Sequence, residues 1–203
     1  MPTAIPAVLA LHYWAGAGHE FDALRPLLPA GTRLFAPDLP GFGGQPAPAG
    51  FDYSVGAYAA WVAAFVAENN LDDYVLVGHS MGGKVALALA AGRPAGLHRL
   101  VLLSPSPPTP EPISDADRAA ALAAYGQPAA AEKTFRTITQ TPLSDAVHRQ
   151  VVADNLRSTQ AAWDAWLLGG SLENIAARLS DIAVPCHLLP YEAPAAVVGA
   201  LAL

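Results

Sequence analysis

The stretch from Tyr74 to Ala90, YVLVGHSMGGKVALALA, constrains this chain more than any other. Tyr74-Val75-Leu76-Val77 is short, apolar and β-branched, so it reads as a buried strand. Lys84 to Ala91 is apolar almost all the way round, as in a buried helix. Between them stands Gly78-His79-Ser80-Met81-Gly82. Strand, G-x-S-x-G, helix describes a very sharp turn that holds one hydroxyl exposed on a strained backbone. Gly78 and Gly82 are expected there because a Cβ would collide with the neighbouring strand and helix. Ser80 then sits at a helix N-terminus, where free N–H groups favour a developing oxyanion. A competing reading is a phosphate-binding loop, since Gly78 to Lys84 also fits G-x-x-x-x-G-K. The next residue is Val85, which lacks the hydroxyl that such a loop offers to magnesium.

At 203 residues, 53% of them hydrophobic, the chain supplies one well-filled domain with room for an inserted subdomain. A net charge of −6 argues against nucleic acid or an anionic membrane surface as partner. Cys186 is the single cysteine, so no internal disulfide is expected, and a reducing, cytoplasmic setting is the natural expectation. Met1 to Gly18 is apolar, but the first basic residue is Arg25, so a buried strand is preferred over a signal peptide.

Further strands are predicted at Ala7–Leu11, Arg33–Ala36 and His98–Leu103, with helices at Phe21–Leu28 and Ser54–Asn69. Strands alternating with helices imply a mostly parallel sheet. After the proline-rich break from Ser104 to Pro112 the alternation stops. Helices are predicted over 115–125, 128–138, 145–157, 159–168 and 172–179, opening on the capping box Ser114-Asp115-Ala116-Asp117. This block reads as a helical cap, and its Trp163–Trp166–Leu167 stripe as packing whose face is also available to a pocket. The expected organisation is a core at 1–108, a cap at 109–180 and a shortened return to the core at 181–203. Strand character reappears at Ala183-Val184-Pro185-Cys186.

Three segments, LHYWAGAG at Leu11–Gly18, PDLPGFG at Pro37–Gly43 and VGHSMGG at Val77–Gly83, resemble the α/β-hydrolase family in order and spacing. The resemblance is strong from Val8 to Pro107 and only positional through the cap. It implies a serine hydrolase that cleaves an ester or related acyl bond of a small apolar substrate. Ser80 would be the nucleophile, with an acyl-enzyme and no metal or organic cofactor. The resemblance assigns the oxyanion donors to the backbone N–H groups of Met81 and Trp14, with Tyr13 the alternative to Trp14. His187, within HLLPYEAP, resembles the family's final histidine segment and would serve as general base. His12 is expected to be structural, His79 to point away from the reaction, and His19, His98 and His148 to be surface or packing residues. Asp38 is expected to brace its loop.

The resemblance also implies an acid between the nucleophile and the histidine, and none is evident. The stretch VPCHLLP has two readings. Read forwards, it begins the strand whose end should carry the acid, which places Glu192 near that position and leaves no histidine. Read backwards from PYEAP, it is the histidine loop and the acid is lost. The second is preferred, with an internal deletion joining the two segments and a last helix over Ala195–Leu203. Glu111 and Asp181 are unconvincing substitutes. The fold expected is α/β: a mostly parallel, truncated sheet lacking the leading hairpin, with an inserted all-helical cap. Its open edge could pair with a second copy. The alternative function is an impaired relative that binds a ligand under its cap.

Overall fold

The computed structural model describes residues 5–139 and 141–189. Five strands form one parallel sheet: β1 (Ala7–Leu11), β2 (Leu34–Phe35), β3 (Tyr74–His79), β4 (Leu97–Leu103) and β5 (Cys186–Leu189). Their order is β2-β1-β3-β4-β5, so β1, β3 and β4 are interior and β2 and β5 are edges among the described residues.

The near-continuous apolar runs mark strands buried on both faces. Alternation along each strand then sorts side chains by size. Leu9, Leu11, Leu76, Leu100 and Leu102 face the layer that holds α1 (Val55–Glu68) and α2 (Met81–Ala91). Val8, Val75, Val77 and Val101 face the opposite side, where Phe21 of a 3-10 helix, Gly18–Leu27, covers them. The expected helix over 21–28 is this tighter form; Pro26 inside it removes a backbone donor.

After β4 the chain runs through four helices: α3 (Asp115–Ala123), α4 (Pro128–Ile138), α5 (Asp145–Leu156) and α6 (Gln160–Leu168). Ser114, Ser144 and Thr159 cap α3, α5 and α6, each accepting from the backbone N–H three residues on. Trp163, Trp166 and Leu167 are buried, as the packing reading expected. The helix expected over 172–179 is not formed. The chain makes two 3-10 pieces instead, Gly170–Leu172 and Ala176–Asp181. Tertiary partners interrupt it: the Ile175 N–H donates to the Pro108 carbonyl at 2.7 Å, and Glu173 accepts from the Val55 N–H at 2.8 Å.

The tail follows the forward reading of VPCHLLP. Residues 186–189 form β5, parallel to β4, with His187 registered against Val101. Glu192 and the helix expected over Ala195–Leu203 lie outside the described residues. No helix among the described residues is long and apolar enough to cross a membrane.

Candidate active site

The corner between β3 and α2 is the strained turn that the sequence demands. Ser80 has φ 48° and ψ −115°, a region that side-chain-bearing residues avoid at a cost of about 1–3 kcal/mol. It is held there from several directions. Its N–H donates to the Leu103 carbonyl at 3.1 Å. Its carbonyl accepts from the N–H groups of Gly83, Lys84 and Ser106. A Cβ at Gly78 would meet the Gly82 carbonyl oxygen at 2.6 Å, inside the helix that follows. One at Gly82 would meet the His12 carbonyl oxygen at 2.6 Å, at the end of β1. Both glycines are therefore required by backbone-to-backbone contact.

Ser80 is half-buried, and its hydroxyl bonds to none of the described residues. Among those residues the backbone N–H groups of Met81 and Trp14 likewise have no acceptor. The Tyr13 N–H is engaged, donating to Glu20 Oε2 at 3.2 Å. The Trp14 ring packs against Trp163 of α6, centroids 4.2 Å apart and planes tilted by 50°.

His12 is fully buried. Its Nε2 accepts from the Leu39 N–H at 2.9 Å, so the proton is on Nδ1, which donates to the Tyr13 carbonyl at 2.7 Å. Burial holds its pKa below the ordinary value. His12 is thus a neutral strut between two loops. Asp38 accepts from the Gly18 N–H at 2.8 Å, and its carboxyl fills the space a Cβ at Gly43 would need. His79 turns to Glu20: its Nδ1 is paired with Glu20 Oε1, and its ring meets Tyr13 edge-on at 5.4 Å. Burial works against the charged imidazole, but the Glu20 carboxylate outweighs it, so the His79 pKa is raised. His98 pairs with Asp73, and His148 stacks on Phe135 and meets Glu132. His19 lies 3.6 Å from Asp154.

His187 is not brought to Ser80. Register aligns it with Val101 and hence with Val77, two strands across and three residues short of the corner. Strand spacing and rise then separate the two α-carbons by on the order of 14 Å, beyond a hydrogen bond from imidazole to hydroxyl. The preference for a histidine loop fails because four residues, 186–189, are needed to complete pairing with β4. Among the described residues no imidazole hydrogen-bonds the Ser80 hydroxyl. Asp181 pairs with Arg93 at 3.8 Å, and among the described residues neither it nor Glu111 hydrogen-bonds a histidine. The phosphate-loop reading is overturned by Lys84. It is fully buried, and its ammonium donates to the Thr109 carbonyl at 3.3 Å.

A cavity of about 450 Å³ reaches Tyr13 and Glu20, but Ser80, Met81 and Trp14 are not among its lining residues. Tyr13 and Glu20 line it on the sheet side, and Ile138, Leu143, Val147 and Val151 on the helical side. Among the described residues no cluster of histidine, cysteine and carboxylates has the form of a metal site.

Sequence comparison agrees with the fold. Residues 6–170 match the alpha/beta hydrolase fold. The chain is 33% identical over 205 positions to the pimeloyl-[acyl-carrier protein] methyl ester esterase of Aromatoleum aromaticum, covering 91% of this chain and 78% of that one. The esterase of the same name from Aeromonas salmonicida is 37% identical over 102 residues, but this chain spans only 39% of its length. Among solved structures, bromoperoxidase from Bacillus anthracis superposes with a TM-score of 0.82 at 16% identity, covering 92% of this chain and 74% of that one. An esterase from Exiguobacterium antarcticum gives 0.78 at 19%, covering 90% and 72%. Those two likenesses are of fold. With the match over residues 6–170, they place this chain in the alpha/beta hydrolase fold family.

Proposed function

We propose that this protein is a serine esterase that cleaves a carboxylic ester through an acyl-enzyme on Ser80. The observation that carries the reading is the Ser80 corner: a serine at φ 48°, at the start of an 11-residue helix, whose hydroxyl has no partner among the described residues. The hydroxyl attacks the ester carbonyl, the alcohol leaves, and water then releases the acid. The Met81 and Trp14 N–H groups, both without an acceptor among the described residues, are suited to bind the oxyanion. Engagement of the Tyr13 N–H by Glu20 favours Trp14 over Tyr13 in that role.

In this reading the acyl group extends from Ser80 toward the cavity lined by Tyr13 and Glu20. Its walls are largely apolar, and its charged lining residues are the carboxylates Glu20, Asp22 and Asp154. An uncharged acyl chain suits it and an anionic one does not. The relatives named as methyl ester esterases fit that preference, since esterification removes the negative charge of an acid.

The test is hydrolysis of p-nitrophenyl butyrate by the wild type and by Ser80→Ala. Nitrophenol release that vanishes in the variant is the expected result. Equal release by both proteins contradicts it. An impaired, ligand-binding relative would show release by neither.

A further inference from the structure

We infer that Glu20 is a positioning residue that sets the span of the oxyanion hole; the inference rests on the Ser80 reading above. An oxyanion hole built from Trp14 and Met81 draws its two donors from loops far apart in the chain. Trp14 follows β1, and Met81 begins α2. Their separation must be held to within about 0.5 Å for both to reach one oxygen.

Glu20 ties the two loops together with one carboxylate. Oε2 accepts the N–H of Tyr13, the residue before Trp14, at 3.2 Å. Oε1 pairs with Nδ1 of His79, the residue before Ser80. The Tyr13 ring closes the triangle against the His79 imidazole at 5.4 Å. Gly82 also lies directly on the carbonyls of Leu11 and His12. The two loops are therefore joined by backbone contact as well as by Glu20.

Glu20 is itself held in place. Its 3-10 helix begins at Gly18, whose N–H is fixed by Asp38 at 2.8 Å. A Cβ at Gly18 would lie 2.9 Å from the Ala36 carbonyl carbon, so this start sits hard against the β2 loop. Engaging the Tyr13 N–H has a second consequence. It fixes the His12–Tyr13 peptide plane, while the Tyr13 carbonyl, which shares its plane with the Trp14 N–H, is held by His12 Nδ1 at 2.7 Å. Glu20 acts through these neighbours and need not touch the reacting atoms.

The experiment compares wild type, Glu20→Ala, Glu20→Asp and Glu20→Gln. The readouts are p-nitrophenyl butyrate kinetics, inhibition by butylboronic acid and the rate of Ser80 labelling by a fluorophosphonate. Aspartate keeps the charge but is one methylene too short to span both partners. Glutamine can accept from the Tyr13 N–H and donate to neutral Nδ1 of His79. For Glu20→Ala and Glu20→Asp we expect kcat to fall about 10–100-fold with KM nearly unchanged, because the misplaced donor acts on the transition state. The butylboronic acid inhibition constant should rise by a similar factor. Glu20→Gln should stay within about fivefold of wild type, a rescue that a general folding role would not produce in kcat alone.

Wild-type kcat and wild-type boronic acid affinity in Glu20→Asp would overturn the inference, as would a loss confined to KM. If Glu20→Ala does not fold by circular dichroism, Glu20→Asp decides the matter by the same two readouts. A wild type that fluorophosphonate does not label at Ser80 fails the esterase reading itself. A labelled wild type with an indifferent Glu20→Asp fails only the bridge.

Discussion

Ser54 and Ser80 both stand immediately before a helix, α1 and α2, and do opposite things. Ser54 has φ −66° and ψ 158°, and its hydroxyl accepts from the Ala57 N–H at 3.0 Å. Ser114 and Ser144 repeat that geometry at α3 and α5. Ser80 has φ 48°, and its hydroxyl caps nothing. In the first set the side chain satisfies the helix end and contributes to stability. In the second the backbone is strained, the Met81 N–H has no acceptor among the described residues, and the proposal gives the hydroxyl to chemistry. The same residue at the same helical position caps the helix in one place and, in the proposal, serves reactivity in the other. Two glycines packed on backbone decide which.

The contrast can be broken by substitution. The largest effect is expected at the corner: Ser80→Ala should lower ester hydrolysis by at least about 10³-fold while leaving the urea midpoint unchanged or slightly raised. Gly82→Ala comes next. Its Cβ has no space against the Leu11 and His12 carbonyls, so it should cost about 3 kcal/mol in urea unfolding and remove activity as well. Ser54→Ala is the mirror of Ser80→Ala, with about 1 kcal/mol of stability lost and kcat kept. If Ser54→Ala and Ser80→Ala shifted stability equally, the distinction between capping and reactive serines would fail.

Two smaller tests sharpen the comparison through the histidines around it. His79 has a raised pKa because Glu20 outweighs its burial. Its pairing therefore stabilises the fold below the unfolded value of about 6.5, and that contribution is lost as pH rises through the folded value. The stability gap between wild type and Glu20→Gln should accordingly be wider at pH 6 than at pH 9. His12 has the opposite sign. It is buried and neutral with a lowered pKa, so its part of the stability is lost as pH falls below about 6.5. The smallest effect is expected at His187→Ala, within about 1 kcal/mol of wild-type stability and with kcat unchanged.

Much of this was legible in the sequence because the requirements were local. The corner announces itself: a buried strand, two glycines at fixed offsets from Ser80 and an apolar helix admit few other structures. The starts of α3, α5 and α6 were equally readable, since Ser114, Ser144 and Thr159 cap them through contacts three residues long. What failed depended on distant partners. VPCHLLP carries no local mark of register, and pairing of Leu100 to Leu103 with Cys186 to Leu189 made it a strand. The stripe at Leu172, Ile175, Ala176 and Leu179 has helical spacing. Bonds from Ile175 to Pro108 and from Val55 to Glu173 spend its backbone and side-chain groups elsewhere. Glu20 gave no signal at all. One of two acids in a short amphipathic turn looks solvated until the fold lays it between Tyr13 and His79.

The central claim is that the strained corner makes Ser80 the reactive serine. Incubation with a fluorophosphonate, followed by proteolysis and mass spectrometry, tests it most directly. A single phosphonyl adduct is expected, on the peptide bearing Ser80, with Ser54, Ser114 and Ser144 unmodified. No adduct on Ser80, or one confined to a capping serine, would contradict it.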